Sequence, residues 1–386
     1  MKILHTADWH LGRQFCGQTL ESDHDAVLAQ VLDAIETHQP DALIIAGDIY
    51  DRASPPISAV RQFNAFLGKV ASESSSAIVM IAGNHDSGDR IASHAILADP
   101  KRALIRGPLS VHEQPLIIED QHGPVAFSGL PFGNEFSARE CYGDTSISCP
   151  ADVLAAQVAC ARAHVPEDAR WVIAAHAFVA NATPSESERS LQVGGIETVP
   201  ASVFDGAHYI ALGHLHRPQG VGAPHIRYSG SPLSYGFDEA ESQKSMTLVD
   251  LAADGTVSLQ ELPFTPSRAV RMFKGPMKDL LAVASAAPSD DFFKIVLTDK
   301  GAIIDPMGQV REYYPNATVL TYERDEEAAP VSGSGSTSTS TSTSLDDPLA
   351  VVGEFLSHVR GEEPSDVETT IVTTALNQLA AAEENP

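Results

Sequence analysis

The sequence predicts an α/β fold, followed by a small α+β unit and by C-terminal helices. Over residues 1–250, short apolar runs alternate with apolar residues at helical spacing. A shorter alternation returns at residues 264–324, and two apolar helical faces follow a stretch rich in Ser, Thr and Gly. Hydrophobic residues fill 43% of the 386 positions, which is enough for at least one sizeable core. The chain is therefore expected to divide into two or three units.

Five apolar runs in the first unit predict buried strands, because each is short and ends at polar or turn residues. They occupy residues 2–7, 42–46, 77–82, 171–175 and 208–212. One helix is predicted around residues 27–35, with Ser22 or Asp23 as its N-cap. Another is predicted around residues 60–70 and is entered through a Pro-Pro pair. Strands that interleave with helices in this way imply a layered core.

The pattern at residues 264–324 predicts the smaller α+β unit. The predicted elements are, in order, a strand at 268–273, a helix at 276–286, a strand at 292–298, a helix at 305–314 and a strand at 318–322. The apolar run FFKIVLT gives the clearest strand signal among them. We place the first domain at residues 1–259 and the second at residues 260–324.

Residues 325–345 form a low-complexity Ser/Thr/Gly segment. Such a segment cannot bury enough apolar surface to offset its ordering entropy, so a flexible linker is predicted. Residues 346–386 then carry two amphipathic helical patterns. Their apolar faces are Leu349, Val352, Leu356 and Val359 in the first pattern, and Val367, Ile371, Ala375 and Leu379 in the second. These short helices either pack on the body of the chain or dock on a partner protein.

Charge and composition exclude several classes of protein. The net charge of −26 argues against a uniformly basic nucleic-acid binder, although residues 325–386 alone carry twelve acidic residues against one basic residue. No apolar run reaches the roughly 18 residues that a membrane span needs, and no signal peptide is visible. The four cysteines form no CxxC pair, so we expect free thiols and a reducing, cytoplasmic location.

Polar side chains follow each of the five predicted strands. In α/β folds, ligands gather at the carboxyl ends of strands, so these side chains are expected to converge on one point. The residues are Asp8, His10, Asp48, Asp51, Asn84, His85, His176, His214 and His216. A lone Asp at a strand end is usually a turn residue or a helix cap, and a lone His is more often surface or core than a ligand. The prediction of a common site therefore depends on the ordered series of five such strand ends and not on any single residue.

Carboxylates, an amide and imidazoles without thiolates form a mixed N/O ligand set. This set suits Mn²⁺, Fe or catalytic Zn²⁺ better than structural zinc or an iron–sulfur cluster. Seven such ligands exceed what one tetrahedral ion needs and fit two ions that share one carboxylate. Glycines precede Asp48, Asn84 and His214, where they allow close backbone approach at a crowded site. The pattern predicts a two-metal centre that acts on a phosphoryl group.

The motifs D-x-H, G-D-x-x-D-R, G-N-H-D, H and G-H-x-H, in this order, resemble those of the calcineurin-like metallophosphoesterases. The stretches HTADWHLGR, GDIYDRASPP, SESER, LGHLHRPQ and IRYSGSPLSYGFDEAESQKS resemble more narrowly the SbcD-type bacterial exonuclease subunits, relatives of the eukaryotic Mre nuclease. The resemblance covers roughly residues 1–250 and implies a layered sandwich of two sheets flanked by helices. Two departures are Asp51, where some relatives carry a histidine, and Ala7, where a serine is common.

The resemblance implies two divalent metal ions, with Mn²⁺ the first choice. One ion would be held by Asp8, His10, Asp48 and His216, and the other by Asp48, Asn84, His176 and His214, so that Asp48 bridges the two. His85 would contact the scissile phosphate and help the leaving group depart, and an imidazole can indeed donate a proton to a leaving oxygen. The alternative is that His85 only orients a neighbouring group.

A DNA substrate needs cations that face its phosphates. The candidates near the motifs are Arg13, Arg52, Arg90, Arg217 and Arg227. Asp51 is expected to orient a metal ligand or Arg52. In the family that the motifs resemble, an SbcC-type ATPase is the partner and the nuclease subunits form a homodimer within a heterotetramer. Residues 260–324 are accordingly assigned to DNA capping and residues 346–386 to docking on the ATPase, and the helix near residues 60–70 is a candidate for dimer contacts.

Three functions stay open at this point. The first is a metal-dependent DNA nuclease, an exonuclease on double-strand ends and an endonuclease at hairpins, in DNA replication, repair and recombination. The second is a metallophosphatase acting on a small phosphoester or a phosphoprotein. The third is a non-catalytic scaffold, against which the complete ligand set and His85 weigh. The RYSGSP block and the second unit favour the nuclease.

Overall fold

The computed structural model of the chain describes residues 1–188, 198–323 and 365–383, the last segment with side chains up to residue 375. The chain divides into two units, Met1–Arg271 and Met272–Pro386. The predicted linker, the predicted helix at 349–359 and Arg189 of the SESER stretch lie outside the described residues. The predicted fold class is confirmed: the first unit is an α/β sandwich of two sheets flanked by helices, and the second is a small α+β unit.

The first sheet of the sandwich has six strands. In spatial order they are β14 (Val257–Pro263), β13 (Ser245–Leu251), β1 (Lys2–Thr6), β4 (Ala42–Ala46), β5 (Ala77–Ile81) and β6 (Ala103–Arg106). Strands β1, β4, β5 and β6 run parallel, while β13 and β14 are antiparallel to their neighbours. All five positions of β4 are buried, as the uninterrupted run ALIIA requires in a parallel sheet covered on both faces.

The second sheet also has six strands. In spatial order they are β11 (Gln219–Val221), β12 (Ala223–Tyr228), β10 (Tyr209–Gly213), β9 (Arg170–His176), β8 (Gly123–Leu130) and β7 (Leu116–Asp120). Strands β8, β9, β10 and β12 run parallel. Apolar side chains of both sheets meet in one buried core, which includes Ile44, Val79, Ile81, Phe127, Val172 and Ala174.

The described helices of the first unit cover the outer faces of the sandwich. They are α1 (Glu21–His38), α2 (Ile57–Glu73), α3 (Gly88–Ser93), α4 (Glu135–Tyr142) and α5 (Pro150–Arg162), with 3₁₀ turns at Ala201–Phe204 and Phe237–Glu239. Helix α5 packs Leu154 and Val158 against the second sheet. Phe63 and Phe66 of α2 contact the ring of Trp9, which anchors the loop after β1. A two-residue turn joins the short strands β2 (Gln14–Phe15) and β3 (Gln18–Thr19).

The second unit contains a three-stranded sheet against which its first two helices pack. Its elements are β15 (Val270–Gly275), α6 (Met277–Ala286), β16 (Phe292–Leu297), α7 (Pro306–Arg311), β17 (Ala317–Tyr322) and α8 (Asp366–Glu383). Leu280 and Ala284 of α6 join Ile295 and Leu297 of β16 in its core. These buried side chains give the short second unit a hydrophobic core of its own.

Two predicted boundaries, the N-cap of α1 and the start of β15, differ from the structure. Helix α1 has Leu20 at its N-cap, so the predicted cap at Ser22 or Asp23 is wrong. The carboxylate of Asp23 is bound by the guanidinium of Arg268, with Nε 3.2 Å away, and is not available as a cap. Because Arg268 is held there, the strand predicted at 268–273 begins only at Val270.

The helix predicted at residues 305–314 is shorter than expected. It spans only Pro306–Arg311, with Asp305 accepting a hydrogen bond from the amide of Gly308. The carbonyl of Tyr313 accepts the amide of Ser289 instead of continuing a helix. The chain therefore leaves the helix early in order to enter β17.

Two compositional predictions can be compared with the structure. All four cysteines are free, as predicted. Among the described residues, none of the helices is both long enough and apolar enough to cross a membrane.

Candidate metal centre

Buried polar residues follow β1 and β4 at one edge of the first sheet. Asp8, His10 and Asp48 are each at most 2% exposed. All three have a left-handed backbone, with φ of 55°, 48° and 49°. A non-glycine residue in this conformation costs about 1–3 kcal/mol, and such residues cluster at functional sites. The two loops hold each other in place, since the amide of Asp8 donates to the carbonyl of Gly47 and that of His10 to the carbonyl of Asp48.

Asp48 lies at the centre of this group. Its Oδ2 is 3.7 Å from Nε2 of His10 and 3.5 Å from Nε2 of His176. Its Oδ1 accepts the backbone N–H of His85 at 2.8 Å. One potential ligand atom from each of Asp8, Asp48 and His176 lies within 4.8 Å of the others. A carboxylate oxygen that lies near imidazoles of both predicted ligand sets is suited to touch two cations.

The second sheet supplies His176 and His214 from the ends of β9 and β10. Nδ1 of His176 lies 2.9 Å from the carbonyl of Ala46, and its Nε2 lies 2.9 Å from Oδ1 of Asn84. Nδ1 of His214 lies 3.1 Å from the same amide oxygen. The backbone N–H of His214 donates to both oxygens of Asp8, at 2.9 and 3.1 Å. The carboxyl ends of the two sheets therefore meet at one place.

His10 and His216 complete the cluster. Their Nε2 atoms lie only 3.1 Å apart, and both side chains are at most 2% exposed. The seven residues predicted as metal ligands thus form one continuous network, in which Asn84 is half-buried and the other six are buried. They come from the loops after β1, β4, β5 and β10 and from the last residue of β9.

The electrostatics of the network favour added positive charge. Burial raises the pKa of Asp8 well above its ordinary value; His176 lowers it, and the carboxylate of Asp48 raises it further. Burial lowers the pKa of His176, but the carboxylates of Asp48 and Asp8 and the carbonyl of Ala46 together raise that pKa above its ordinary value. The same field that attracts a proton to His176 attracts a cation, and protons compete with metals for such ligands.

The donor set fits divalent metal ions. Two carboxylates, one amide oxygen and four imidazoles converge in a buried space without a thiolate, which suits Mn²⁺, Fe or catalytic Zn²⁺. Ring nitrogens of His10 and His216 face each other, as two nitrogens aimed at a common ion would. A cation between these groups would offset the buried carboxylate charge that burial otherwise penalises.

His85 and Asp51 lie beside this network. Nδ1 of His85 lies 2.8 Å from the carbonyl oxygen of Asp51, and its ring is 4.7 Å from that of His10. Nδ1–H therefore donates to Asp51, which leaves Nε2 as the nitrogen able to exchange a proton with a substrate. The carboxylate of Asp51 lies 3.8 Å from Nδ1 of His10 and 3.4 Å from the guanidinium of Arg13.

The other arginines predicted to face phosphates have different surroundings. Arg52 and Arg90 are exposed. Arg217 forms an ion pair with Asp238 at 2.9 Å. Arg227 binds the carboxylate of Glu261 and the hydroxyl of Thr247.

Glycine is required at two positions, Gly83 and Gly213, because each lies against the loop or strand end of another part of the site. A Cβ on Gly83 would lie 2.2 Å from Oδ1 of Asp48, and a Cβ on Gly213 would lie 1.9 Å from the carbonyl oxygen of Ala46. Both distances are far below van der Waals contact. The glycines noted in the sequence therefore make room for the network.

One residue that supports the site, Asp86, was not identified as a site residue from the sequence. The carboxylate of Asp86 accepts backbone N–H groups of Gly83, Ile49 and Tyr50 at 2.9–3.1 Å, which ties the loop after β4 to the loop after β5. Burial raises the pKa of Asp86 to about 7, and the Asp48 carboxylate adds to this. Asp86 is the last residue of the GNHD motif, two positions after Asn84, and this position was the sequence feature that could have identified it.

Comparison with known families gives two matches. The profile of the calcineurin-like phosphoesterases matches residues 1–218, which is more than half of the chain. A profile named for the SbcD C-terminal region, and described as the type 5 capsule protein repressor C-terminal domain, matches residues 266–360. The first match covers all seven predicted ligands and His85, and the second covers most of the described second unit.

Proposed function

Because the chain belongs to the calcineurin-like phosphoesterases and carries an SbcD-type C-terminal domain, we propose that it is the nuclease subunit of a complex that processes DNA ends. Its substrates are double-strand ends, cut as an exonuclease, and hairpins, cut as an endonuclease. The convergence of carboxylate, amide and imidazole ligands from five strand ends carries this proposal. Replication, recombination and repair of DNA are the processes that such an activity serves.

The proposed ligand sets follow the two halves of the network. The first ion takes Asp8, His10, Asp48 and His216, and the second takes Asp48, Asn84, His176 and His214, with Mn²⁺ as the proposed metal. When bound, such a pair lowers the pKa of a water molecule and offsets the charge of a phosphoryl group. Oδ2 of Asp48 lies 3.7 Å from His10 of the first set and 3.5 Å from His176 of the second, which supports the bridging role.

We assign His85 to the leaving group. Its backbone N–H is fixed by Asp48 and its Nδ1 by the carbonyl of Asp51, so the ring cannot turn freely. Nε2 is then held at the rim of the ligand cluster, where it can give a proton to the departing oxygen. His85 is 8% exposed, more than any of the four proposed imidazole ligands, which are at most 4% exposed.

The assignment of DNA as substrate draws on the second unit and on exposed cations. Arg52 and Arg90 are exposed near the loops that carry the ligands and are the proposed phosphate contacts, with Arg13 nearer the centre. Asp51, between His10 and Arg13, is proposed to orient both. Residues 260–324 are proposed to cap the DNA.

We propose that an SbcC-type ATPase binds residues 346–386. Helix α8 supports this, since Val367 and Ile371 on it are 68% and 62% exposed. Two copies of the nuclease subunit are proposed to form a homodimer within the heterotetramer, with α2, where Ile57 is 71% exposed, as a contributor. A cytoplasmic location is consistent with the free state of the cysteines.

The decisive experiment compares two substrates. An end-labelled hairpin duplex and a small chromogenic phosphodiester are incubated with the protein, with and without Mn²⁺, and the His85→Ala variant serves as control. We expect Mn²⁺-dependent cleavage of the duplex that is lost in the variant. Faster turnover of the small ester than of DNA would instead support a metallophosphatase.

A further inference from the structure

His216 is fixed at three points by residues outside the proposed ligand set. Its backbone N–H donates to Oε1 of Glu188 at 2.7 Å, and its carbonyl accepts Nζ of Lys244 at 2.8 Å. Its Nδ1 lies 2.6 Å from the hydroxyl of Ser187. The backbone clamps set the position of the residue, while the serine contact determines which ring nitrogen carries the proton.

A buried ion pair stands behind Ser187. Glu239 is 0% and Lys244 is 5% exposed, and Nζ of Lys244 binds Oε2 of Glu239. Nζ also donates to the hydroxyl of Ser231 at 3.1 Å. A buried ion pair is seldom a net source of stability, because desolvation of both charges offsets their attraction. Its presence beside a metal ligand therefore calls for an explanation other than stability.

The direction of each hydrogen bond follows from the chemistry of the groups. An ammonium can only donate and an ionised carboxylate can only accept, so Lys244 leaves Glu239 as an acceptor. The hydroxyl of Ser187 then donates its single proton to Oε1 of Glu239. Its oxygen is left to accept, so Nδ1 of His216 must carry the proton, and Nε2 keeps its lone pair.

That lone pair points into the cluster. Nε2 of His216 is the atom that lies 3.1 Å from Nε2 of His10. Only the tautomer with the proton on Nδ1 presents a ligating nitrogen there.

We propose that Lys244, Glu239 and Ser187 form a positioning relay that holds His216 in the tautomer able to bind metal through Nε2. The relay rests on the ligand set proposed above, but it concerns the protein's own hydrogen bonds. The arrangement differs from a nucleophilic triad, in which histidine lies between serine and the acid and takes the serine's proton. Here serine lies between histidine and the acid, and its proton points away from the ring.

The relay is tested first in the metal-free protein, by nitrogen-15 NMR of the histidine side chains. In the wild-type chain, we expect His216 as the tautomer with a proton on Nδ1. Ser187→Ala removes the acceptor for that proton, and Oε1 of Glu239, 3.7 Å from Nδ1, is beyond hydrogen-bond distance, so the opposite tautomer becomes populated. Mn²⁺ binding measured by calorimetry then weakens by roughly 10- to 100-fold, the usual effect of losing a partner of a metal-bound imidazole. Ser187→Thr, which keeps the hydroxyl, restores both readouts.

Glu239→Gln gives a sharper second test. Lys244 cannot accept a hydrogen bond, so the amide of the variant must turn its oxygen toward Nζ and its NH₂ group toward Ser187. The hydroxyl of Ser185, 3.0 Å from that of Ser187, could otherwise take the serine proton, so the substitution is made in a chain that also carries Ser185→Ala. Ser187 then donates to His216, and the tautomer reverses. We expect a spectrum with the proton on Nε2 and Mn²⁺ binding weaker than in Ser187→Ala.

A matched control separates the relay from a general loss of stability. Ser128 is also buried and accepts a hydrogen bond, at 2.9 Å from Nε1 of Trp171, but does not touch the cluster. Ser128→Ala is expected to leave the His216 tautomer and Mn²⁺ affinity unchanged. The relay is overturned if Ser187→Ala keeps the wild-type tautomer, or if Ser128→Ala weakens Mn²⁺ binding equally. If the variants show the expected tautomer and Mn²⁺ affinity but the wild-type protein does not cleave DNA, only the nuclease proposal is refuted and the relay stands.

Discussion

The substitution Gly83→Ala tests how strongly the crowded backbone controls the candidate metal centre. The added methyl carbon would lie 2.2 Å from Oδ1 and 2.4 Å from the backbone nitrogen of Asp48. Non-bonded heavy atoms rest about 3.5–4.0 Å apart, so Asp48 or the loop after β5 has to move by about 1 Å. A displacement of that size at a reacting centre costs roughly 100-fold in rate. Overpacking of this kind costs about 1–3 kcal/mol in the free energy of unfolding.

The assay combines Mn²⁺ calorimetry, denaturant unfolding and duplex cleavage. Gly68→Ala is the matched control, because a Cβ at this position of α2 has no neighbour within 4 Å. An alanine in a helix is more stable than a glycine by about 0.5–1 kcal/mol, so the control is expected to gain stability and keep full activity. Wild-type Mn²⁺ affinity and cleavage in Gly83→Ala would refute the claim that close packing on Asp48 sets the geometry.

Three further predictions follow from the proposed roles. His85→Ala is expected to abolish Mn²⁺-dependent cleavage while calorimetry and unfolding show intact metal binding and fold; cleavage of linear duplex near the wild-type rate would contradict the leaving-group role. Asp48→Asn is expected to weaken both metal sites, because the carboxylate lies between the two ligand sets, and calorimetry with one site lost and the other untouched would count against bridging. Removal of residues 346–386 is expected to leave hydrolysis of the small phosphodiester intact and to abolish co-purification with the ATPase, so recovery of the truncated chain with that partner would exclude docking through this segment.

The relay behind His216 shows where sequence reasoning reached its limit. Ser187 and Glu239 are 52 positions apart, and neither follows a strand-like run. Both lie in stretches, SESER and FDEAESQKS, that the sequence marked only as resemblances. No periodicity joins a serine to a carboxylate across such a distance, because the contact depends on the path of two loops.

Boundaries set by competing side chains were also beyond the sequence. Asp23 reads as an N-cap in its own neighbourhood, but Arg268, 245 positions later, binds its carboxylate. The cap preference of a residue is a local property, whereas the stronger charge-assisted pair is available only in the folded chain.

The sequence by itself determined the layered α/β class and the positions of the main buried strands, because burial of an apolar run such as ALIIA is a local, period-dependent property. It also determined which residues follow the strand ends, and hence the chemistry that they offer. Only the tertiary structure decided that the carboxyl ends of β9 and β10 lie beside those of the first sheet, so that His176 reaches Ala46 and His214 reaches Asp8. Distances, tautomers and pKa directions depend on that meeting, because each is a property of groups that are distant along the chain and adjacent only after folding.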